Sequence, residues 1–468
     1  MRDVYENPLN SRYASAEMQR LFSPDMRYST WRRLWTSLAR AEHALGLPVT
    51  QQQVDELAAH QKDIDYDAVA AREKQVRHDV MAHVYAYGLV CPNAAGIIHL
   101  GATSCFVTDN ADLIILRDAL LSIQNSVCAV LNALMPFAER TKAVPTGGYT
   151  HFQAAQPVTI GRRACLWMQD LFLDLEEIDD CLRAVRFLGS RGATGTEASF
   201  VSLFGGDTAK IDELNRMIAA DFGFDRLYDV SGQTYPRKLD SRVLGALSSV
   251  AQSAYRFGDD VRLLQHDGIL SEPFESGQIG SSAMAYKQNP MRSERTCSLA
   301  RFVMTTAQNA PLTASAQWLE RTLDDSANRR LAIPEAFLAT DAILRLMANV
   351  AGGLVVHEAA NARILADALP FLATENLLMA GVQKGGDRQK LHEIIREHSI
   401  EARESLAQGG ANDLPARLAA DPAFPLSREE IQRELDPARH IGRSIEQAER
   451  FLASHPVPAA SPLQAVTL

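Results

Sequence analysis

The chain has 468 residues, with 47 lysines and arginines against 57 aspartates and glutamates, for a formal net charge of −10. Hydrophobic residues at 46% and charged residues at 22% are globular proportions, which exclude disorder and collagen-like fibres and leave room for two or three domains with ample core. The excess of acid also excludes a nucleic-acid polymer, whose phosphates demand a basic face; a small anionic ligand stays open, because a pocket's local field need not share the sign of the whole surface.

In chain order, the N-terminal MRDVYENPLNSRY has no apolar core of the signal-peptide kind. Val80–Thr108 contains no Asp, Glu, Lys or Arg, yet it carries His83, Pro92, Asn93, His99, Thr103, Ser104 and several glycines. A lipid-facing helix does not tolerate that polar load, so we expect no membrane span and a cytoplasmic protein. Helical periodicity then takes over. In Asp109–Leu134 the residues Leu113, Leu116, Leu120, Ile123, Val127, Val130 and Leu134 keep to one stripe. Ile160–Leu188 and Ser241–Leu264 repeat the pattern, and further helical segments fall around Cys297–Gln308 and Pro334–Leu354. No segment alternates in the manner of a strand. Long amphipathic helices with little strand signal predict an all-α bundle.

Polar, glycine-containing breaks fall at Gly96–Ser104, Pro145–Gln156, Gly189–Gly206 and Ser271–Pro290, and loops on a rigid scaffold are where sites usually sit. We expect three domains: an N-terminal helical domain over 1–103, a central bundle over 104–353 carrying the loop 271–290, and a C-terminal helical domain over 354–468. The Pro- and Ala-rich tail SHPVPAASPLQAVTL reads as loose. The six cysteines lie far apart with no C-x-x-C pair, the pattern of reduced, buried thiols. His78 and His83 are five apart and do not share a helix face, so no metal is expected. No P-loop, Rossmann fingerprint or nucleophile elbow is present, and no cofactor is expected.

What remains is a set of polar segments. Gly280-Ser281-Ser282-Ala283-Met284-Ala285-Tyr286-Lys287-Gln288-Asn289-Pro290 joins two serines, a lysine and an asparagine, and its upstream SEPFESGQI has the small polar content of a mobile lid. Met284 and Tyr286 would be costly on a merely solvated connection. His151 lies in the uncharged YTHFQAAQP, where a single histidine is more often structural than catalytic. DDSANRR could be a charged helix start. Each motif alone is weak.

Together they form a pattern. G-S-S-x-M-x-x-K-x-N-P, with ENPLNSRYAS, RHDVMAH, IIHLGATSC, SGQTYPRKLD, MRSER and QWLERTLDDSANRR, resembles the adenylosuccinate lyase family of the fumarase/aspartase superfamily, and in particular the branch that includes the animal enzymes. The resemblance runs in order over nearly the whole chain. It implies a three-domain helical fold, a homotetramer with active sites shared among three subunits, and release of fumarate from adenylosuccinate or from succinyl-aminoimidazole carboxamide ribotide. Such an elimination builds a carbanion beside a carboxylate, so extra negative charge must be stabilised.

By the same resemblance Ser281 is the general base, its alkoxide stabilised by Lys287 and loop amides. His151 is the general acid, oriented by Glu294. Asn289, Thr103 and Ser104 suit the succinyl carboxylates. Arg12 and Arg295 are the phosphate candidates, with Tyr13, Arg77, His78, Asp79, Gln233, Arg321, Ser326 and Arg330 completing the binding set for a polyanionic substrate. Two positions depart from the family pattern: Ala285 stands where it usually has Pro, and Gln288 where this branch commonly has Arg. They put loop closure and affinity in doubt, not the reaction type. Two other readings stay open: a sister enzyme such as argininosuccinate lyase or fumarase, and a silent scaffold of the kind some relatives became in the lens. SGQTYPRK and DDSANRR favour adenylosuccinate, and the presence of both acid and base argues against silence.

Overall fold

Thirty-eight residues from Ser104 to Thr141 form the longest helix, and its apolar stripe is the reason. Leu113, Leu116, Leu120, Ile123, Val127, Val130 and Leu134 are all buried, each by about 1.5–3 kcal/mol of transfer free energy. In the computed structural model, which describes residues 3–466, this helix packs against Ile160–Ala184 and Asp325–Gly353. Lys238–His266 and Met291–Thr306 complete a five-helix bundle, the former touching Ile160–Ala184 and both touching Asp325–Gly353. The helix is long and apolar enough to cross a membrane, but 61% of its most apolar window is buried against its neighbours. Asp109 and Asn110 are buried within it as well. The all-α expectation holds.

The Pro24–Ala44 helix lies on the bundle. One hydrophobic core runs without a break from Leu9 through Leu354 and takes in Ala448. A second core gathers Leu377, Leu391, Leu414, Phe424 and Ile431 in the C-terminal region. All six cysteines are free and buried. Burial pushes the Cys105 thiol up to about 12 and those of Cys91, Cys165, Cys181 and Cys297 up to about 11.

Three features differ from the sequence reading. Pro145–Thr150 and Gln153–Thr159 form an antiparallel hairpin where a polar break was expected. Its signal was hidden by Gly147 and Gly148, which sit at a register irregularity; a Cβ at Gly148 would meet the Gln156 carbonyl oxygen at 2.3 Å. The Asp325–Gly353 helix begins well before Pro334, which it carries inside. The tail over residues 455–466 is not loose: Asn132 Nδ2 donates to Pro458 O at 2.9 Å and Asn125 Oδ1 accepts from Ser461 N at 2.8 Å. Residues 1–2 and 467–468, at the ends of the expected first and third domains, lie outside the described residues.

Candidate active site

A cleft of about 710 Å³ opens where the ends of several helices meet. Eight of the sequence-predicted residues line it: Arg77, His78, Asp79, Ser104, Gln233, Arg321, Ser326 and Arg330. Backbone conformation explains several placements. Arg77 ends the Tyr66–Val76 helix in the left-handed region with φ 57°, a position that glycine normally takes at a helix C-terminus and that is costly for a side-chain-bearing residue. His78 caps the next helix, its Nδ1 accepting from Met81 N at 3.4 Å. His78 Nε2 lies 3.4 Å from Ser104 Oγ, and Asp79 accepts from Arg330 Nη2 at 3.1 Å. His83, by contrast, is buried against Tyr28 at a ring separation of 3.9 Å. The two histidines do different things.

Ser104 is the first residue of the long helix, and Thr103 offers it no side-chain cap because its hydroxyl donates to Gly192 O at 3.4 Å. No side chain caps the helix start at Ser104, which lines the cleft, so the positive end of the dipole is available there to a carboxylate. Gln233 is held from both sides, its Oε1 accepting from Cys105 Sγ and its Nε2 donating to Ala193 O at 3.2 Å.

Along the cleft floor runs a buried network of charges that sequence reasoning missed. Arg237 donates to Asp109 and to Asp325, both at 2.7 Å. Arg329 donates to Asp240 at 2.7 Å and Asp112 at 2.9 Å, and also reaches the Tyr235 hydroxyl. Asp325 also accepts from Arg321 at 2.8 Å. Three bundle helices are thus joined by ion pairs along the cleft floor. Arg237 and Arg329 stay charged: burial, the largest single influence, works against it, but the surrounding anionic groups, Asp109 foremost for Arg237 and Asp240 for Arg329, together outweigh burial and raise both pKa values. Arg27 lines the same cleft. A signal was available in SGQTYPRKLD and DDSANRR, whose charges are too dense for plain helix starts, but pairing across 88 residues cannot be read from spacing.

The signature loop does not line the cleft and is tied at its root. Glu272, buried just before it, accepts from Arg292 N at 3.0 Å, Ser293 N at 2.9 Å and Ser293 Oγ at 2.8 Å. It thereby caps the Met291–Thr306 helix from outside. The buried Arg292 reaches Pro273 O and donates to Glu275 at 2.7 Å. Within the loop Ser281 Oγ accepts from Ala283 N at 3.3 Å and Met284 N at 3.1 Å. Asn289 Nδ2 donates to Gly280 O at 2.8 Å, and Gln265 Nε2 to Gln288 O at 3.0 Å. Lys287 and Asn289 line a smaller cavity with Arg262 and His266. Met284 and Tyr286 are exposed, as are Ile279 and Glu294.

His151 lines neither the cleft nor the cavity beside the loop. It forms the hairpin tip with Phe152, at φ 51° and 55°. Two positive φ values in a two-residue turn belong to a type I′ hairpin, normally built from Asn and Gly. A His-Phe pair there stores strain of the kind found at functional sites. The His151 side chain is exposed and does not line the cleft. Arg295 and Tyr13 form a fourth group, the guanidinium carbon 5.6 Å from the ring centre, with Arg12 exposed beside it on the Leu9–Tyr13 turn.

Comparison with known proteins places the chain in a family. A family model described as "Lyase" matches residues 32–305, and one described as "Adenylosuccinate lyase C-terminus" matches residues 370–451. The adenylosuccinate lyases of Schizosaccharomyces pombe and Saccharomyces cerevisiae are each 48% identical over 466 residues, covering 99% of this chain and 97% of theirs. That of Schistosoma mansoni is 46% identical over 460 residues, 98% of this chain and 96% of its own. In fold, the chain is similar to the 3-carboxy-cis,cis-muconate lactonizing enzyme of Pseudomonas putida, with a TM-score of 0.84 at 24% identity, covering 96% of this chain and 98% of that one. With relatives this similar along nearly its whole length, the chain belongs to the adenylosuccinate lyase family.

Proposed function

We propose that the chain catalyses the β-elimination of fumarate from adenylosuccinate, leaving AMP, and from succinyl-aminoimidazole carboxamide ribotide in purine nucleotide biosynthesis. The observation that carries this reading is Ser281, whose hydroxyl oxygen accepts two loop amides. Donors aimed at that oxygen favour its alkoxide and make a serine competent to take a proton from the carbon beside a carboxylate. The electron pair then breaks the carbon–nitrogen bond, and His151 delivers a proton to the departing nitrogen. Lys287 adds positive charge to the loop, and Glu294 orients His151. Asn289, which here closes the loop on Gly280, turns to the succinyl carboxylate with Thr103 and Ser104. Arg12, Tyr13 and Arg295 take the phosphate. Arg77, His78, Asp79, Gln233, Arg321, Ser326 and Arg330 hold the remainder of the substrate.

Ser281, Lys287, His151, Tyr13 and Arg295 do not line the cleft of their own protomer, and this supports a homotetramer whose sites are completed by three subunits. The exposure of Trp318, Leu319, Leu323 and Leu331 near the cleft points the same way, since apolar clusters left in water mark interfaces. The test is a combined assay of adenylosuccinate absorbance and fumarate release. His151→Ala and Ser281→Ala should each lower turnover by about a thousandfold or more while leaving a folded oligomer. Mixing the two inactive variants should restore part of the activity through mixed oligomers. Near-normal turnover in either single variant would remove its residue from the mechanism.

A further inference from the structure

The C-terminal tail crosses the bundle as an extended strap and ends against the segment that carries Arg12 and Tyr13. Asn132 Nδ2 donates to Pro458 O at 2.9 Å, and Asn125 takes Ser461 by both backbone groups, accepting from its N at 2.8 Å and donating to its O at 3.3 Å. The spacing is physically matched. Seven helical residues rise about 10.5 Å, and three extended residues span about 10 Å. A proline-rich chain has no internal hydrogen bonds of its own, so its carbonyls and amides are free for such side-chain partners.

Beyond Ser461 the strap meets Arg345, buried on the Asp325–Gly353 helix. Its guanidinium donates to three main-chain carbonyls: Tyr13 O at 2.9 Å, Gln464 O at 3.0 Å and Ala465 O at 2.5 Å. Gln464 reaches further, its Oε1 accepting from Ala16 N at 2.8 Å. Four residues away on the same helix, Asp341 accepts from Ser15 N at 2.6 Å and Ser15 Oγ at 3.0 Å. A planar fork with several donors fixes direction as well as distance, which an ammonium cannot do. The Tyr13 carbonyl is therefore held between the helix and the tail, one residue from Arg12 and on the same residue as the ring that faces Arg295.

We propose that Arg345 and the strap over residues 460–466 are positioning elements of the active site: they set the place of Arg12 and Tyr13, and through them the affinity for the phosphate-bearing end of the substrate. The idea rests on the reading of Arg12 and Tyr13 as substrate contacts. Among the described residues the strap neither lines the cleft nor hydrogen-bonds the signature loop, so its loss should weaken substrate binding and spare the chemical step.

The experiment compares the full chain with a truncation lacking residues 460–468, with Arg345→Gln and Arg345→Lys, and with Arg12→Gln alone and combined with the truncation. KM and kcat for adenylosuccinate are measured, together with oligomer size. The truncation and Arg345→Gln should raise KM about tenfold with kcat within about twofold, the signature of lost binding that is equal in ground and transition states. Arg345→Lys should recover part of that loss. In the Arg12→Gln background the truncation should add little, because both act on one contact. An unchanged KM in the truncated chain, or equal loss of kcat and kcat/KM, overturns the proposal while leaving Arg12 as a substrate contact if Arg12→Gln still raises KM. Effects of truncation and Arg12→Gln that multiply overturn it too. If Arg12→Gln leaves KM unchanged, the substrate-contact reading itself fails. Should Arg345→Gln not fold, the truncation carries the test.

Discussion

The buried carboxylate of Asp325 holds the Arg321 guanidinium at 2.8 Å, an i,i+4 pair at the start of the helix that floors the cleft. Its other oxygen is engaged by the buried Arg237 at 2.7 Å. One aspartate thus holds a cleft-lining arginine and anchors the buried network.

Asp325→Asn should therefore cost both stability and affinity. Removing one charge from a buried set typically costs about 3–5 kcal/mol, because the partner is left uncompensated, so a clear fall in Tm is expected together with a raised KM. The pH dependence has a definite sign. Burial alone would raise the Asp325 pKa, but Arg237 and Arg321 overcome it and hold the carboxyl below its ordinary value. Its contribution is complete above the ordinary carboxylate range and fades as pH falls through the lower folded value. A Tm difference between variant and wild type that persists unchanged into strong acid would contradict the pairing.

A second expectation concerns the loop's root. A Cβ on Gly280 would meet the Lys287 carbonyl oxygen at 2.1 Å, where backbone faces backbone and no flexible side chain can yield. Gly280→Ala should open the closure that Asn289 makes across the loop and displace Ser281. We expect turnover to fall by about a hundredfold or more, as misplacement by an ångström can do. The bundle melts elsewhere, so Tm should move little. Wild-type turnover in Gly280→Ala would show that the loop re-forms without this contact.

These sites mark the boundary of what the sequence makes legible. Helical stripes such as Leu113 to Leu134 are local and periodic, and they reappear in the fold with their burial intact. The clustering of Arg77, Ser104, Gln233, Arg321 and Arg330 in one cleft was reachable only through resemblance, since nothing periodic links them. The hairpin was missed because its glycines and irregular register erase alternation. The strap was missed because a proline-rich segment with no core of its own is held by Asn125, Asn132 and Arg345, which are far away in the chain. Long-range polar pairing leaves no mark on local composition.

Glu42 provides a third prediction. It is fully buried on the Pro24–Ala44 helix, and neither carboxylate oxygen has a hydrogen-bond partner among the described residues. Burial pushes its pKa up to about 9. The folded state therefore keeps a proton that the unfolded chain releases above about pH 4.3. Stability is unpenalised below that value and declines as pH rises toward the folded value, by about 1.4 kcal/mol per pH unit. Glu42→Met, of similar length and no charge, should melt higher than wild type, and the gap should widen from about pH 5.5 to about pH 8.5. A gap that stays flat across that range would mean Glu42 does not titrate as its surroundings demand.

Ala285 stands where the resemblance to the family implies a usual proline. Lys287 N donates to Met284 O at 3.0 Å, which makes Met284–Lys287 a β-turn with Ala285 at its second position. Proline is favoured at that position because its ring pre-sets the required φ. Ala285 is exposed, and its amide makes no hydrogen bond among the described residues, so the ring removes no donor that the loop uses. Ala285→Pro should narrow the ensemble of open loops and spare the ordered one, a gain of about 0.4–1 kcal/mol. Expressed in kinetics, kcat/KM should rise about two- to fivefold, and limited proteolysis within residues 276–288 should slow in parallel. Faster proteolysis with lower kcat/KM would show that the turn needs a φ proline cannot adopt, and that alanine is there to permit it.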